Sequence, residues 1–362
     1  MEFGTVAPTF PPIENLIKVA KRLEEKGYSA LWFPDHLMGW YPNDLWLETE
    51  FSKRYPSCHM FYDAFCSICY VANSTKLKLG VSVTEILRRH PVVLLQQAVT
   101  ANHATKGRFI LGIGAGEAEN VVPYGIDFDK PVAKLEEALK LIRIILNTDC
   151  GEVINFEGKF YKLKNAAFDL KPIGQIPIWI GAHGDRMLRI TAKYGDGWLP
   201  VNILPEVYKE LIKRLEKYAR DEKRDIDEIT KAVFVSLVID ERREEVEKLL
   251  KTPILKCHAL LIPSYIYERY GLRHPLGNFR GLVDYIPTEF DKEKILKLIN
   301  SIPDKAVKLA FVSGTPEDIV DTFDKYEKIG VEHIVIWNVT YFGDFSKVRI
   351  SYDLIDEVIK HF

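Results

Sequence analysis

Phe109-Ile110-Leu111-Gly112-Ile113-Gly114-Ala115-Gly116-Glu117-Ala118-Glu119-Asn120 separates two α/β architectures from each other. Residues 109–114 form an apolar run of strand length, the mark of a strand buried on both faces. Gly112, Gly114 and Gly116 cluster at its end. A doubly wound dinucleotide-binding sheet would carry Gly-x-Gly-x-x-Gly after its first strand and open a helix at once. Here the cluster follows the fourth apolar run, its spacing differs, and the next helical period starts only at Lys130. An open doubly wound sheet is therefore disfavoured.

Strand and helix signals alternate outward from this run. Strands are expected at Phe3–Ala7, Ala30–Phe33, Leu77–Val83, Ile176–Ile180, Gly197–Pro200, Lys231–Ile239 and Ile334–Trp337. Between them lie helical periods. Pro12 opens one that repeats Leu16, Val19, Ala20 and Leu23, and Gly27 ends it. Others cover Pro91–Thr105, Lys130–Asn147, Asp185–Lys193 and the segment after Pro205, and a last helix runs from Phe345 to His361. About eight strands alternating with helices predict a single (β/α)8 barrel over residues 1–362.

Composition narrows the function. Lys plus Arg is 49 against 51 Asp plus Glu, a net charge of -2, which excludes the basic face that nucleic-acid binding needs. No run of 18 apolar residues suggests a membrane span, and the N-terminal residues lack a leader pattern, so a cytoplasmic protein with a small-molecule substrate is expected. Five cysteines do not make a disulfide framework. Cys66 and Cys69 fall on a helical stretch, Phe61–Ala72, without a second ligand pair, so they read as small core residues and no metal is expected. His103, His258, His274 and His333 are isolated and read as core histidines.

Three insertions interrupt the alternation: an aromatic loop at about 37–62, a hairpin-like stretch at 151–163 and an irregular stretch at 252–287. Long loops of this kind are expected over the C-terminal mouth of a barrel, where sites are built.

Four clusters fall at expected strand ends. In Asp35-His36, followed by Trp40, the imidazole exchanges protons near neutral pH and Asp35 could position it or bind a ligand hydroxyl. Ser82-Val83-Thr84-Glu85 is the second, and the glycines before Glu117 are the third, allowing a backbone to approach a flat ring. Gly181-Ala182-His183-Gly184, just before a helix, suits an anion. Each also has a plain reading as turn or cap chemistry; together they suggest a cofactor with a planar head and a phosphate.

These residues, with Gly195-Asp196-Gly197-Trp198 and Ser313-Gly314-Thr315-Pro316-Glu317, resemble the bacterial-luciferase-like superfamily, and within it the branch using the deazaflavin coenzyme F420. The resemblance implies deazaflavin held by Asp35, Ser82, Val83, Thr84, Gly116 and Asn120, its phosphate tail near Gly181, Ala182, His183 and Gly184, and a cis peptide at Ser82–Val83. It implies a homodimer. His36, Trp40 and Glu117 match the catalytic set of its alcohol-oxidising members: His36 as base or acid, Trp40 holding developing charge, Glu117 managing a proton of the reduced ring.

Departures refine the substrate. Members that reduce methylene-tetrahydromethanopterin carry an acidic residue near the first strand's end, where Thr5-Val6-Ala7 has none. Sugar-phosphate-oxidising members carry a basic residue soon after Gly-Asp-Gly, where Leu199-Pro200-Val201-Asn202 is uncharged. An uncharged alcohol or ketone is expected, and Trp46, Phe51, Tyr55 and Phe61 suggest a large or apolar one, as in members named as lipid ketoreductases. The alternatives are an FMN-dependent monooxygenase, the pterin reductase, and a flavin-binding barrel without catalysis.

Overall fold

The computed structural model describes residues 1–362. Eight parallel strands close into a barrel: β1 (Glu2–Val6), β2 (Ala30–Phe33), β3 (Lys78–Val81), β4 (Phe109–Ile113), β5 (Ile178–Ile180), β6 (Gly197–Trp198), β7 (Thr230–Ile239) and β8 (His333–Asn338). Neighbours pair in chain order, and β8 closes onto β1 with Glu2 opposite His333. The outer helices are α1 (Asn15–Glu25), α2 (Ala64–Val71), α3 (Pro91–Ala104), α4 (Pro131–Asn147), α5 (Asp185–Tyr194), α6 (Pro205–Asp221), α7 (Pro316–Ile329) and α8 (Val348–Ile359). This is the (β/α)8 architecture.

Local chemistry explains the boundaries. In α4, Pro131 occupies the first turn, and Leu135, Ala138, Leu139, Ile142 and Ile145 bury one stripe against the strands. Thr315 and Asp318 form a reciprocal capping box at the start of α7, and Gly330 ends that helix at φ +94°. The barrel interior is filled rather than open. Trp32 and Trp179 meet with ring centroids 5.0 Å apart, and Trp32 Nε1 donates to His333 Nε2 at 3.1 Å. Gly4 and Gly80 make room for Trp32: a Cβ at either would lie 2.6 or 2.4 Å from its ring.

β7 is unusually long. Its lower end pairs with β6 through Thr230 and Lys231. Its upper end, Leu237–Ile239, pairs with a short extra strand, Val312–Gly314, which the sequence pattern does not announce. The chain between, 240–311, is an insertion wider than the expected 252–287. It carries helices Arg243–Leu250, Pro253–His258, Ser264–Arg269, Lys292–Asn300 and Asp304–Lys308. With the aromatic loop it builds a second hydrophobic cluster around Trp46, Phe51, Leu255, Tyr285 and Phe342. The expected irregular stretch is thus partly helical. Its helices are too short to show a period, and they are buried in the second cluster, chiefly against neighbouring helices of the insertion and Thr340–Gly343, with the loop 37–62 on one side.

The hairpin pairs Ile154–Glu157 with Lys162–Ala166, and its Tyr161 stands edge-on to His90 at the start of α3, with ring centroids 5.5 Å apart. It follows α4, and its tip is fixed to the outside of that helix by Glu137, which accepts from the amides of Lys159, Phe160 and Tyr161 at 2.9, 2.7 and 2.8 Å. Cys66 and His103 are exposed, contrary to the core reading, because both fall on outward helix faces. His258, His274 and His333 are buried.

Candidate active site

β2 is buried at all four residues, and its end delivers Asp35 and His36 to the top of the barrel. Asp35 is 3% exposed and bound on several sides. Thr84 Oγ1 donates to its Oδ2 at 2.6 Å, Arg89 Nη1 at 2.6 Å and Arg88 Nη2 at 3.0 Å. Burial pushes the Asp35 carboxyl up, but the two guanidiniums outweigh it and hold it below its usual range. The Asp35 and Thr84 side chains are thus committed to each other and to Arg88–Arg89, forming an ionic footing under His36.

Ser82 N–H still bonds Phe33 of β2 at 2.9 Å, whereas Thr84 exchanges bonds with Gly112 and Gly114 beside β4, at 2.9 and 2.8 Å. The Ser82–Val83 peptide between them is cis. Val83 fills a hollow lined by glycines: a Cβ at Gly112 or Gly114 would lie 3.1 or 3.2 Å from its methyls, and one at Gly181 3.6 Å. Ser82 Oγ is buried and has no partner.

β4 feeds Gly116, at φ +98°, then Glu117 and the 3₁₀ turn Ala118–Asn120. That turn assembles the densest polar network of the site. Asn120 Oδ1 accepts from Leu37 N–H at 2.8 Å, which fixes the amide so that Nδ2 donates to His36 Nδ1 at 2.9 Å and to Glu119 Oε1 at 3.3 Å. His36 Nδ1 is then an acceptor, and neutral His36 carries its proton on Nε2. Burial lowers the His36 pKa, against the opposing pull of Glu117. Trp40 Nε1 donates to Glu117 Oε2 at 3.3 Å and Glu119 Oε1 at 3.2 Å. Its indole N–H is therefore spent on the carboxylates, and the ring remains as a wall. It stands edge-on to His36 and Trp337, at 5.3 and 5.1 Å.

Glu117 and Glu119 face each other. Burial raises the Glu117 pKa well above the carboxylate range, and Glu119 adds to it; burial lifts Glu119 to about 7. The pair holds a proton between two carboxyls near neutral pH. His36, Glu117 and Glu119 offer ligand atoms within 4.8 Å of one another. Yet Trp40 and Asn120 aim donors at Glu119 Oε1, an arrangement that serves a shared proton better than a cation. Glu119 is the residue that sequence reading passed over: it stands inside the Glu-Ala-Glu-Asn run, and only the 3₁₀ turn shows that both carboxyls face Trp40.

This network borders a cavity of about 560 Å³, a size typical of ligand pockets. His36, Trp40, Ser82, Phe234 and Trp337 line its inner end. Gly181, Ala182, His183 and Gly184 stand apart from it, across Val83. His183 Nε2 is taken up with the backbone of Val201, and a Cβ at Gly184, the residue that begins α5, would meet nothing within 4 Å.

The luciferase-like monooxygenase family model matches residues 1–333. The chain is 36% identical over 322 residues to the phthiodiolone/phenolphthiodiolone dimycocerosates ketoreductase of Mycobacterium bovis, covering 86% of this chain and 84% of that protein. It is 25% identical over 327 residues to the 5,10-methylenetetrahydromethanopterin reductase of Archaeoglobus fulgidus, covering 89% and 88%. Its fold superposes on an F420-dependent secondary alcohol dehydrogenase in complex with an F420–acetone adduct, with TM-score 0.76, 20% identity and coverage of 99% and 97%.

Proposed function

The chain belongs to the luciferase-like monooxygenase family and is an oxidoreductase, and from that premise we propose that it transfers hydride between coenzyme F420 and an uncharged ketone or alcohol. The carrying observation is the His36–Asn120–Glu119–Trp40–Glu117 network at the inner end of an apolar cavity. The residues present fit a deazaflavin. Ser82 Oγ is a buried polar atom without a partner, Val83 offers an apolar face, and the open start of α5 has free amides for an anionic tail. Ser82, Val83, Gly116 and Asn120 would hold the ring, and residues 181–184 the phosphate. When bound, the deazaflavin donates or accepts the hydride.

The protein's own part is orientation, dryness and proton handling. In ketone reduction, His36 Nε2–H donates to the carbonyl oxygen and passes its proton to the forming alkoxide as Nδ1 takes one from the Glu117–Glu119 pair, whose Glu119 Oε1 lies 3.4 Å away, so the imidazole stays neutral. The Asn120 amide holds the ring in the tautomer that presents that proton. Glu117 and Glu119 supply a replacement proton beside Nδ1, and Trp40 keeps the pair and the imidazole in one frame. In alcohol oxidation the same atoms run in reverse. Phe234 and Trp337 keep water from the reacting carbon.

Titration of the purified protein with F420 and with FMN, followed by absorbance and tryptophan fluorescence, tests the cofactor. F420 binding together with turnover of a ketone or alcohol supports the reading. Tight FMN binding without F420 binding moves the protein to the oxygen-using branch of its family.

A further inference from the structure

The cavity continues far beyond what the reaction centre uses. From His36 and Ser82 it passes under the loop Ala7–Phe10, runs between Trp46, Phe51 and Tyr55 on one side and Phe342 and Phe345 on the other, and reaches the outer helices. Phe10 stacks on Tyr55 at 4.6 Å and on Trp46 at 5.7 Å, so the middle of the passage is walled by ring faces and edges. The outer end is lined by Asn15, Val19 and Arg22 of α1 and by Val348, Arg349 and Tyr352 of α8.

The seam between these helices explains the opening. Asp356, on the lower half of α8, gathers Arg22 Nη2 at 2.7 Å, Lys26 Nζ at 3.5 Å and Tyr28 Oη at 3.2 Å. That knot closes the lower part of the seam. Nearer the mouth, where α1 and α8 both begin, the cavity reaches Val19 and Val348 instead. Of the three arginines that line the passage, two stand at this rim and Arg54 lies beside Tyr55 of the middle section. Arg22 is paired with Asp356, Arg349 lies 3.6 Å from Asp353, and Arg54 rests over the Tyr55 ring at 5.4 Å.

Resting on the hydride-transfer reading above, we propose that this passage holds the hydrocarbon chain of a long-chain ketone or alcohol. The reacting carbon sits at His36, and the far end of the chain leaves between α1 and α8 rather than through the barrel mouth. A polar tail would leave its groups without partners among the rings of the middle section. A hydrocarbon chain gains the transfer free energy of each methylene there. The separate exit also frees the mouth for the cofactor, so the two molecules need not share one opening.

A chain-length series of methyl ketones tests this. The kcat/KM of the wild-type protein should climb roughly fourfold per methylene, equivalent to about 0.8 kcal/mol each, and level off once the chain reaches solvent. Val348→Phe, and independently Val19→Phe, narrow the outer end and should bring the plateau to shorter chains. A flat length series overturns the proposal while leaving the hydride-transfer reading in place, as does a plateau that neither variant moves. A second arm needs no turnover: a long-chain ketone brominated along its chain should quench tryptophan fluorescence in the wild type and less in both variants. Quenching without turnover of any ketone or alcohol upholds the passage and defeats the reaction reading. Equal quenching in all three proteins overturns the passage.

Discussion

The two walls of the cavity are made differently. On the side of β2, β3 and β4 nearly every functional group is held by hydrogen bonds or ion pairs: Asp35 by Arg88, Arg89 and Thr84, His36 by Asn120, Trp40 by Glu117 and Glu119. On the side of β1, β8 and the insertions the wall is stacked rings, with few polar atoms to satisfy. Directional bonds fix atoms to fractions of an ångström, which proton and hydride transfer need. Ring packing fixes shape but tolerates variation in its occupant. The contrast assigns chemistry to one wall and substrate selection to the other.

That division can be broken most directly at His36. His36→Ala should lower turnover by about 10² to 10⁴ while F420 binding by titration stays largely intact; unchanged turnover ends the assignment. Asp35→Ala strips the partner from two buried guanidiniums and should cost about 3–5 kcal/mol of stability, read from urea midpoints. On the aromatic wall, Phe51→Ala should raise KM for a long-chain ketone more than for a short one, with kcat for the short one little changed. A loss confined to kcat would put Phe51 on the chemical wall instead.

Glu119 gives a pH test. Its folded pKa of about 7 lies above the ordinary 4.5, so between those values the folded state binds more protons than the unfolded one. Its contribution to stability is then fully present below pH 4.5 and lost as pH rises through 7. Glu119→Gln should flatten that fall, measured as urea midpoints at pH 5 and pH 8. The smallest effect is expected at the exposed Cys66: Cys66→Ser should shift stability by no more than about 0.5 kcal/mol and leave activity indifferent to thiol reagents.

The barrel was legible because each strand pairs an apolar run with a neighbouring amphipathic helix, and alternation survives without tertiary knowledge. His36, Trp40, Glu117 and Asn120 follow strand ends, which marked their clusters, but only the resemblance to the F420-using branch joined them into one set. Glu119 was not, since alternating residues after a strand suggest opposite faces and only the 3₁₀ turn turns both carboxyls inward. Asp35 and Thr84 were read toward a ligand. Arg88 and Arg89, which bind Asp35, come from the β3–α3 connection, a pairing no local pattern encodes. The helices of residues 240–311 stayed hidden because segments of five to nine residues carry only two to four buried positions each, and they bury these mainly against one another in the second hydrophobic cluster.

The long strand β7 has an evolutionary consequence. Residues 240–311 leave the barrel at Ile239 and return at Val312–Gly314, which lies hydrogen-bonded against the strand they left. Departure and return are neighbours, so the segment behaves as a cartridge: it can be lengthened, trimmed or exchanged between relatives without re-registering a barrel strand. No residue of 240–311 lines the cavity, so such a change reaches the substrate through the 37–62 loop that packs against the segment, and the reaction chemistry is inherited unchanged.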